Sequence, residues 1–172
     1  MEATGSSERQ DDASQGLTIF EQILGADLPD EETFVLWRGD GVFAILNIHP
    51  YTSGHVLVLP YEPRQTLDEL TEQESTELWR GVQLAARAID QAYQPHGMNI
   101  GMNIGKAGGA GIPDHLHAHI VPRWTGDTNF MTALADTRVI PEPLELTWQK
   151  LRATWPTTNP PLFESGPPAP LS

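Results

Sequence analysis

The longest regular pattern of apolar and polar residues lies in the middle of the chain. Between Thr71 and Tyr93, apolar residues such as Leu78 and Val82 recur every three or four positions, which is the spacing of one buried helix face. The segment Thr71-x-x-Glu74 matches the capping box that begins many helices, and so does Thr66-x-x-Glu69 just before it. The pattern predicts one long amphipathic helix over Thr71–Tyr93.

Shorter apolar runs, bounded by glycine, proline and asparagine, predict β-strands. They are Phe34–Trp37, Val42–Asn47, His55–Leu59 and Gly97–Ile104. The turn-rich residues between the first two runs suit a hairpin, and Pro60 is expected to end the third. Because strands and helices do not alternate regularly along the chain, the pattern favours an α+β fold built on an antiparallel sheet.

Two shorter helices and two irregular ends complete the expected organisation. Apolar residues at helical spacing predict a helix from Leu17 that has Gly25 as its C-cap, and another over Leu144–Leu151. Residues 1–16 are acidic and polar, and residues 156–172 are rich in proline, so we expect both ends to be disordered. One domain is therefore expected over residues 17–155.

Three histidines alternate with apolar residues in the segment His115-Leu116-His117-Ala118-His119. A period of two is typical of a strand that carries different side chains on its two faces. The pattern predicts that the three imidazoles form a row on one face, about 6.5–7 Å apart. The apolar residues between them, together with Ile120, are expected to face the core.

Three interpretations of this histidine row compete. The rings could simply face solvent, although histidine is not a favoured strand residue. They could bind a metal ion, because imidazole is a common zinc ligand, but the chain has no cysteine to complete a soft site. They could act in catalysis, with the central imidazole attacking phosphorus while its neighbours bind phosphate oxygens and help the leaving group depart. We favour the catalytic interpretation.

Charge and composition narrow the classes of partner. The net charge of −13 argues against DNA or RNA, because nucleic-acid affinity comes largely from Lys and Arg. The segment Lys106–Trp124 contains only Asp114 as an acid, so the surroundings of the histidine row suit a small phosphate-bearing ligand. The absence of cysteine excludes disulfides. Because no signal peptide or membrane-spanning segment is evident, we expect a cytoplasmic protein without a membrane partner.

A glycine-rich segment, Gly105–Gly111, lies just before the histidine row, separated from it by three residues. The stretch Gly101–Ala107 resembles a P-loop, but it has three residues in place of four between its glycines, and Ala107 stands where serine or threonine is needed. Backbone N–H groups in a glycine loop can nevertheless approach an anion closely. We expect this loop to contact phosphate, and the alternative is a flexible connection between strands.

The histidine row, with the pieces around it, resembles a known family. His115-Leu-His-Ala-His119-Ile-Val is similar to the signature of the histidine triad superfamily of nucleotide hydrolases and transferases, and the resemblance runs from about Phe20 to Trp124. The supporting pieces are Phe43–Asn47, Thr52–Pro60 and Asn103 with the loop after it. The residues Val121–Phe130 look most like the branch of diadenosine polyphosphate phosphorylases and hydrolases. The resemblance implies the histidine triad fold.

The resemblance also implies a role for each histidine. His117 would be the nucleophile and form a nucleotidyl-histidine intermediate. Its reactive nitrogen must then be unprotonated, so we expect the other ring nitrogen to donate to a backbone carbonyl. His119 would bind the scissile phosphate and assist the leaving group, and His115 would support the same region. His55 would brace the site from the neighbouring strand, and the alternative for His55 is a core histidine.

Further residues are implied to bind the nucleotide. They are Asn47, Asn103, Gly109, Ala110, Gly111 and Trp124. The first asparagine would hydrogen-bond the ribose, while the second asparagine and the N–H groups of the glycine loop would hold the phosphates. A structural role at a turn or strand end is the alternative for both asparagines. The tryptophan would either cover the second nucleotide or pack at a subunit contact.

The implied enzyme transfers a nucleotidyl group from a dinucleoside polyphosphate, such as diadenosine tetraphosphate, to phosphate or water, and is a homodimer or larger. The covalent step would need no cofactor, although magnesium would accompany the polyphosphate. Leu17–Glu21 lacks the cysteine pair with which some relatives bind structural zinc, so no metal is expected. Leu116 stands where hexose-1-phosphate uridylyltransferases have proline, which disfavours uridylyl transfer.

Three alternatives to this enzyme remain open. A nucleoside phosphoramidase or adenylyl-conjugate hydrolase would use the same nucleophile with a smaller leaving group. A nucleotide-binding protein without catalysis would use the same pocket, and a zinc-binding protein would use the histidines as ligands.

Overall fold

The computed structural model describes residues 16–127 and 142–157, and five strands form one sheet within them. The strands are β1 (Val35–Arg38), β2 (Val42–Leu46), β3 (Val56–Pro60), β4 (Gly97–Met102) and β5 (Ala118–Arg123). Their order is β1-β2-β3-β5-β4, and every neighbouring pair is antiparallel. The predicted α+β class and antiparallel sheet are confirmed. The third predicted strand ends at Pro60 as expected, with the proline itself as its last residue.

Helices flank the sheet on both sides. They are α1 (Ile19–Gly25), α2 (Asp30–Thr33), α3 (Glu72–Tyr93) and α4 (Leu144–Thr154). The predicted long amphipathic helix is α3. Among the residues described, no helix is long and apolar enough to cross a membrane. The predicted acidic leader and proline-rich tail lie outside the described residues, apart from residues 16, 156 and 157.

The ends of the helices agree with the sequence signals only in part. Thr71 and Glu74 form the predicted capping box at the start of α3. Thr66 does not cap a helix through its side chain; a 3-10 turn of three residues, Leu67–Glu69, follows it. The carboxylate of Glu69 instead accepts the backbone N–H of Gln65 at 2.7 Å, so the reciprocal bond of a capping box is absent there.

Helix α1 begins and ends differently from the prediction. Thr18 and Glu21 form a complete capping box at its start, which the sequence reading did not single out. At its end, Gly25 is the last helical residue, and the C-cap is Ala26 in a right-handed conformation. The expected glycine C-cap is therefore wrong.

The sheet separates a larger core from a smaller one. On one face, α3 and α4 pack on the strands, and α3 comes so close at Gly81 that a Cβ there would lie 2.7 Å from Val58. On the other face, α1 covers a smaller cluster. Its buried members are Phe20, Val35, Phe43, Ile45, Leu57 and Leu59. Because His119 alternates with Ala118 and Ile120 of the larger core, its ring lies on the side of the smaller cluster.

The histidine segment forms a strand only at its end. His119 lies in β5, whereas His115 and His117 precede the strand. The backbone N–H of Leu116 donates to the carbonyl of Arg64 at 2.6 Å, and this bond to a loop holds the chain outside the sheet. The prediction of one continuous strand is therefore wrong, but the three apolar residues between and after the histidines are buried as predicted.

Candidate active site

Four histidines meet on the sheet face opposite α3. His119 lies on β5, and His55 immediately precedes the neighbouring strand β3. The ring centroids of His117 and His119 are 4.8 Å apart, and those of His55 and His119 are 5.2 Å apart. His115, His117 and His55 are buried. The fold thus gathers the four histidines that the sequence analysis singled out.

Burial keeps these imidazoles neutral at pH 7. It lowers the pKa of His55 to about 3, with further lowering by the nearby rings of His119 and His117. It lowers the pKa of His119 to about 4, again with a contribution from His117. Burial is also the main cause of the lowered pKa values of His115 and His117. Each ring therefore carries one proton, and its hydrogen-bond partners determine which nitrogen holds it.

The central histidine presents an unprotonated nitrogen. The Nδ1 of His117 lies 2.7 Å from the carbonyl oxygen of His115. Because a carbonyl oxygen can only accept, Nδ1 carries the proton and donates it. The Nε2 of His117 therefore holds a free lone pair, which is the state that nucleophilic attack requires.

His55 and His119 form a directed pair. The Nδ1 of His55 faces two N–H donors, the backbone of Tyr51 at 3.2 Å and the amide of Asn47 at 3.4 Å, so the proton of His55 lies on Nε2. That Nε2 is 3.0 Å from the Nδ1 of His119 and donates to it. His119 then carries its own proton on Nε2, a buried atom with no hydrogen-bond partner in the described part of the chain. This N–H is available to a ligand.

His115 is bonded on both ring nitrogens. Its Nε2 lies 2.9 Å from the carbonyl oxygen of Pro60 and its Nδ1 lies 3.0 Å from the hydroxyl of Thr18. The side chain is completely buried, with an exposed fraction of 0%. His115 therefore supports the site through the backbone carbonyl that it offers to His117, and its ring has no nitrogen left for a substrate.

Two aromatic residues that the sequence analysis did not single out pack on the histidines. Phe20 places its ring edge-on against His115 at 5.2 Å and lies 5.8 Å from His117. The Tyr51 ring lies 4.7 Å from His55 and 6.0 Å from His119, nearly parallel to the latter. The only sequence signal for Phe20 was its place in the apolar stripe of α1, and Tyr51 lies in a loop without periodic pattern.

A cleft of about 1040 Å³ opens beside His119. Asn103 and Trp124, both expected to bind nucleotide, line it together with the aromatic rings of Tyr51 and Tyr93. Trp124 packs edge-on against Tyr93 with ring centroids 6.4 Å apart. The cleft therefore offers aromatic surface next to a histidine with an unpaired N–H.

Asn47 closes the end of β2. Its side-chain oxygen accepts the backbone N–H of His49 at 2.9 Å, and its amide lies 3.4 Å from the Nδ1 of His55. In this structure Asn47 shapes the turn after the strand and helps to set the proton position on His55. The expected hydrogen bond to a ribose stays a prediction.

Several backbone groups of the glycine loop are already engaged in hydrogen bonds within the loop or to Asn103. The N–H groups of Gly109 and Ala110 donate to carbonyls inside the loop at 3.1 and 3.3 Å. The amide of Asn103 donates to the carbonyl of Gly109 at 3.4 Å. Of the three residues whose N–H groups were expected to hold phosphate, only the exposed Gly111 therefore has an N–H that is not used inside the loop.

The two other histidines of the chain, His49 and His96, are exposed. His96 places its Nδ1 3.0 Å from the hydroxyl of Thr125, away from the four clustered rings. Within residues 16–127 and 142–157, no group of three or more His, Asp or Glu side chains is arranged to hold a metal ion.

Comparisons with known proteins place this site in context. A family model described as HIT domain matches residues 29–126, which is more than half of the chain. The AP-4-A phosphorylase of Mycobacterium tuberculosis is 44% identical over 128 residues, covering 74% of this chain and 66% of that relative. The asymmetrical bis(5'-nucleosyl)-tetraphosphatase of Schizosaccharomyces pombe is 36% identical over 93 residues, covering 54% of this chain and 50% of that relative.

The fold has solved counterparts as well. The crystal structure of a Zn-bound histidine triad family protein from Mycobacterium smegmatis matches with a TM-score of 0.65 and 29% identity, covering 82% of this chain and 94% of that one. In sequence, this chain spans slightly less than two thirds of the phosphorylase and half of the tetraphosphatase.

Proposed function

Because this chain belongs to the HIT domain family, we propose that it transfers a nucleotidyl group from a dinucleoside polyphosphate, through a nucleotidyl-histidine intermediate, to phosphate or water. Relatives named as an AP-4-A phosphorylase and a bis(5'-nucleosyl)-tetraphosphatase support an enzyme that acts on nucleotides. The greater identity to the phosphorylase favours phosphate as the acceptor.

The observation that carries the proposal is that two adjacent histidines present Nε2 atoms in opposite protonation states. The Nε2 of His117 holds a lone pair because Nδ1 donates to the backbone, while the Nε2 of the adjacent His119 carries a proton because Nδ1 accepts from His55. One ring can attack phosphorus, and the other can donate a hydrogen bond to the oxygen that leaves.

In the first step, the Nε2 of His117 forms a bond to phosphorus and the bond from phosphorus to the bridging oxygen breaks. The leaving group is a nucleoside polyphosphate, whose oxyanion needs no proton at neutral pH. The N–H of His119 stabilises the charge that develops on this oxygen. The positive charge on the substituted His117 ring is stabilised by the carbonyl of His115, which accepts the Nδ1 proton at 2.7 Å.

In the second step, an oxygen of phosphate or water attacks phosphorus, and the bond to His117 breaks. The electron pair returns to Nε2, which restores the starting ring. Phosphate yields a nucleoside diphosphate, whereas water yields a nucleoside monophosphate and releases one proton. No step of this scheme requires a cofactor, and magnesium is expected only as a companion of the polyphosphate.

The proposed assembly is a homodimer or a larger oligomer. Strand β4 is at the edge of the sheet, where its unpaired backbone groups can bond to another strand. Its residues Asn99 and Gly101 are exposed, and Ile100 exposes 46% of its surface despite its apolar side chain. Pairing through this edge would cover that side chain.

Product analysis of diadenosine tetraphosphate, with and without inorganic phosphate, tests the proposal. Formation of ADP and ATP that depends strictly on phosphate identifies a phosphorylase, and formation of AMP and ATP regardless of phosphate identifies a hydrolase. His117→Ala should abolish either reaction while the circular dichroism spectrum stays unchanged. Retention of most activity in that variant would contradict the proposal.

Two further outcomes point to the alternatives. Turnover of adenosine phosphoramidate without turnover of the tetraphosphate would indicate a phosphoramidase. Tight nucleotide binding without turnover of either substrate would indicate a binding protein.

A further inference from the structure

The hydroxyl of Thr18 joins the start of α1 to the histidine row. We infer that Thr18 is a positioning residue for the nucleophile, acting through the ring and the carbonyl of His115. The hydroxyl lies 3.0 Å from the Nδ1 of His115, across 97 positions of sequence. The inference rests on the nucleophilic role proposed for His117.

The direction of this hydrogen bond follows from its neighbours. The Nε2 of His115 faces the carbonyl of Pro60 at 2.9 Å and must donate to it. Nδ1 of the neutral ring therefore carries no proton and accepts a hydrogen bond from the hydroxyl of Thr18. The hydroxyl oxygen in turn accepts the backbone N–H of Glu21 at 3.3 Å, so its own proton is free to be donated. The donor and the acceptor of each hydrogen bond from Glu21 through Thr18 and His115 to Pro60 are therefore fixed.

The bond matters for the nucleophile because His115 and His117 are linked in two ways: by a hydrogen bond and by packing against the same aromatic ring. The carbonyl of His115 accepts the Nδ1 proton of His117 and so leaves Nε2 unprotonated. Phe20, two residues after Thr18, packs its ring against both histidines. A shift at the start of α1 would therefore move both the carbonyl that fixes the tautomer and the ring that packs beside it.

Thr18 has two separable tasks, because capping the helix requires an acceptor and bonding to His115 requires a donor. Thr18→Ser keeps both tasks. Thr18→Asp keeps a good helix cap, but its carboxylate has no proton to donate at pH 7. Thr18→Val keeps the shape of the side chain and removes both tasks. Glu21→Gln keeps a side-chain oxygen that can accept the backbone N–H of Thr18, so the capping box is preserved, and it leaves the hydroxyl untouched.

The experiment measures steady-state turnover of diadenosine tetraphosphate, thermal unfolding, and the nitrogen-15 NMR signals of the histidine rings in the full chain. We expect wild-type kcat for Thr18→Ser and Glu21→Gln. For Thr18→Asp and Thr18→Val we expect kcat to fall by about tenfold to hundredfold with little change in KM, since a misplaced catalytic group costs this much. Only Thr18→Val should also show a clearly lower Tm.

The NMR measurement separates failure of this inference from failure of the proposed function. In the wild type, His115 should carry its proton on Nε2 and His117 on Nδ1. Thr18→Asp and Thr18→Val should both disturb the signals of His115 and His117, because neither side chain can donate a hydrogen bond to the Nδ1 of a neutral His115. If the wild type turns over no substrate, the function proposed above fails, but these signals still decide the positioning role.

Three results would overturn the inference. The first is wild-type kcat in Thr18→Asp, and the second is unchanged signals of both rings in Thr18→Val. The third is an equal loss of kcat in Thr18→Ser, because that variant keeps the hydroxyl and loses only the methyl group.

Discussion

The Nε2 of His55 lies 3.0 Å from the Nδ1 of His119, so one buried imidazole determines where the other carries its proton. The pair has a single direction because the backbone N–H of Tyr51 occupies the Nδ1 of His55. His119 consequently presents an N–H, and not a lone pair, to whatever enters beside it. If His55 braces the site as expected, this hydrogen bond is the contact through which it acts.

Removing the donor at position 55 should impair turnover. In His55→Leu, His119 is free to move its proton to Nδ1, and we expect kcat for diadenosine tetraphosphate to fall by about a hundredfold, in the range found for general acid–base groups. His55→Gln keeps an amide N–H near the position of Nε2 and should retain more activity. Exposed His49→Gln serves as the control and should match the wild type. Equal activity of His55→Leu and His55→Gln would contradict the directed pair.

The pH dependence of kcat/KM should reflect the burial of the nucleophile. His117 must be neutral to attack, and burial lowers its pKa below the ordinary value of 6.5. His119, with a pKa lowered to about 4, stays neutral over the same range. The acid limb of the profile should therefore have its midpoint below 6.5, once the ionisation of the substrate itself is measured separately. A midpoint at or above 6.5 would show that His117 is not held in the environment described.

Acid should destabilise the fold through the same rings. In the unfolded chain a histidine takes up a proton near pH 6.5, whereas in the folded chain His55 and His119 do so only near about 3 and about 4. Below pH 6.5 the unfolded state therefore binds more protons, and stability that is complete above this pH is lost as the pH falls toward these values. Urea unfolding between pH 7 and pH 4 measures the loss.

A variant isolates the histidine contribution to this acid sensitivity from that of the carboxylates. His55→Leu removes the ring with the lowest pKa and leaves the acidic residues in place. Its free energy of unfolding should fall less steeply than that of the wild type between pH 6.5 and pH 4. Parallel curves for the two proteins would mean that His55 is not buried in its neutral form.

Much of the fold could be predicted because its signals are local. The 3.6-residue period over Thr71–Tyr93 and the capping box at its start depend on neighbours in sequence, and α3 begins and ends as they indicate. The second capping-box sequence, at Thr66, does not begin an α-helix. Only a three-residue 3-10 turn follows it, and the Glu69 carboxylate accepts the backbone N–H of Gln65 in place of that of Thr66. A local motif therefore predicts a helix only where an apolar face follows it.

The part of the site that could not be predicted depends on contacts between distant segments. His115 and His117 lie outside the sheet, where the backbone N–H of Leu116 donates to the carbonyl of Arg64 and the ring of His115 donates to the carbonyl of Pro60. No pattern in the sequence indicates that the backbone carbonyls of Arg64 and Pro60 would accept these hydrogen bonds. The alternation correctly placed the apolar residues in the core, since burial follows from side-chain type. The proton positions on the four rings follow from partners that only the folded chain brings together.

The packing of α1 on the histidines can be tested through Phe20, which is 5% exposed and touches both His115 and His117. Phe20→Ala should lower the free energy of unfolding by about 3 kcal/mol, since it removes a buried ring and leaves a cavity. Ile19→Ala, on the exposed side of the same helix, should change it by less than about 0.5 kcal/mol. Phe20→Leu should lie between them. Because Phe20 also holds the rings in place, kcat should fall further in Phe20→Ala than the folded fraction accounts for. Equal unfolding free energies for the alanine variants at 19 and 20 would mean that α1 does not cover the histidines.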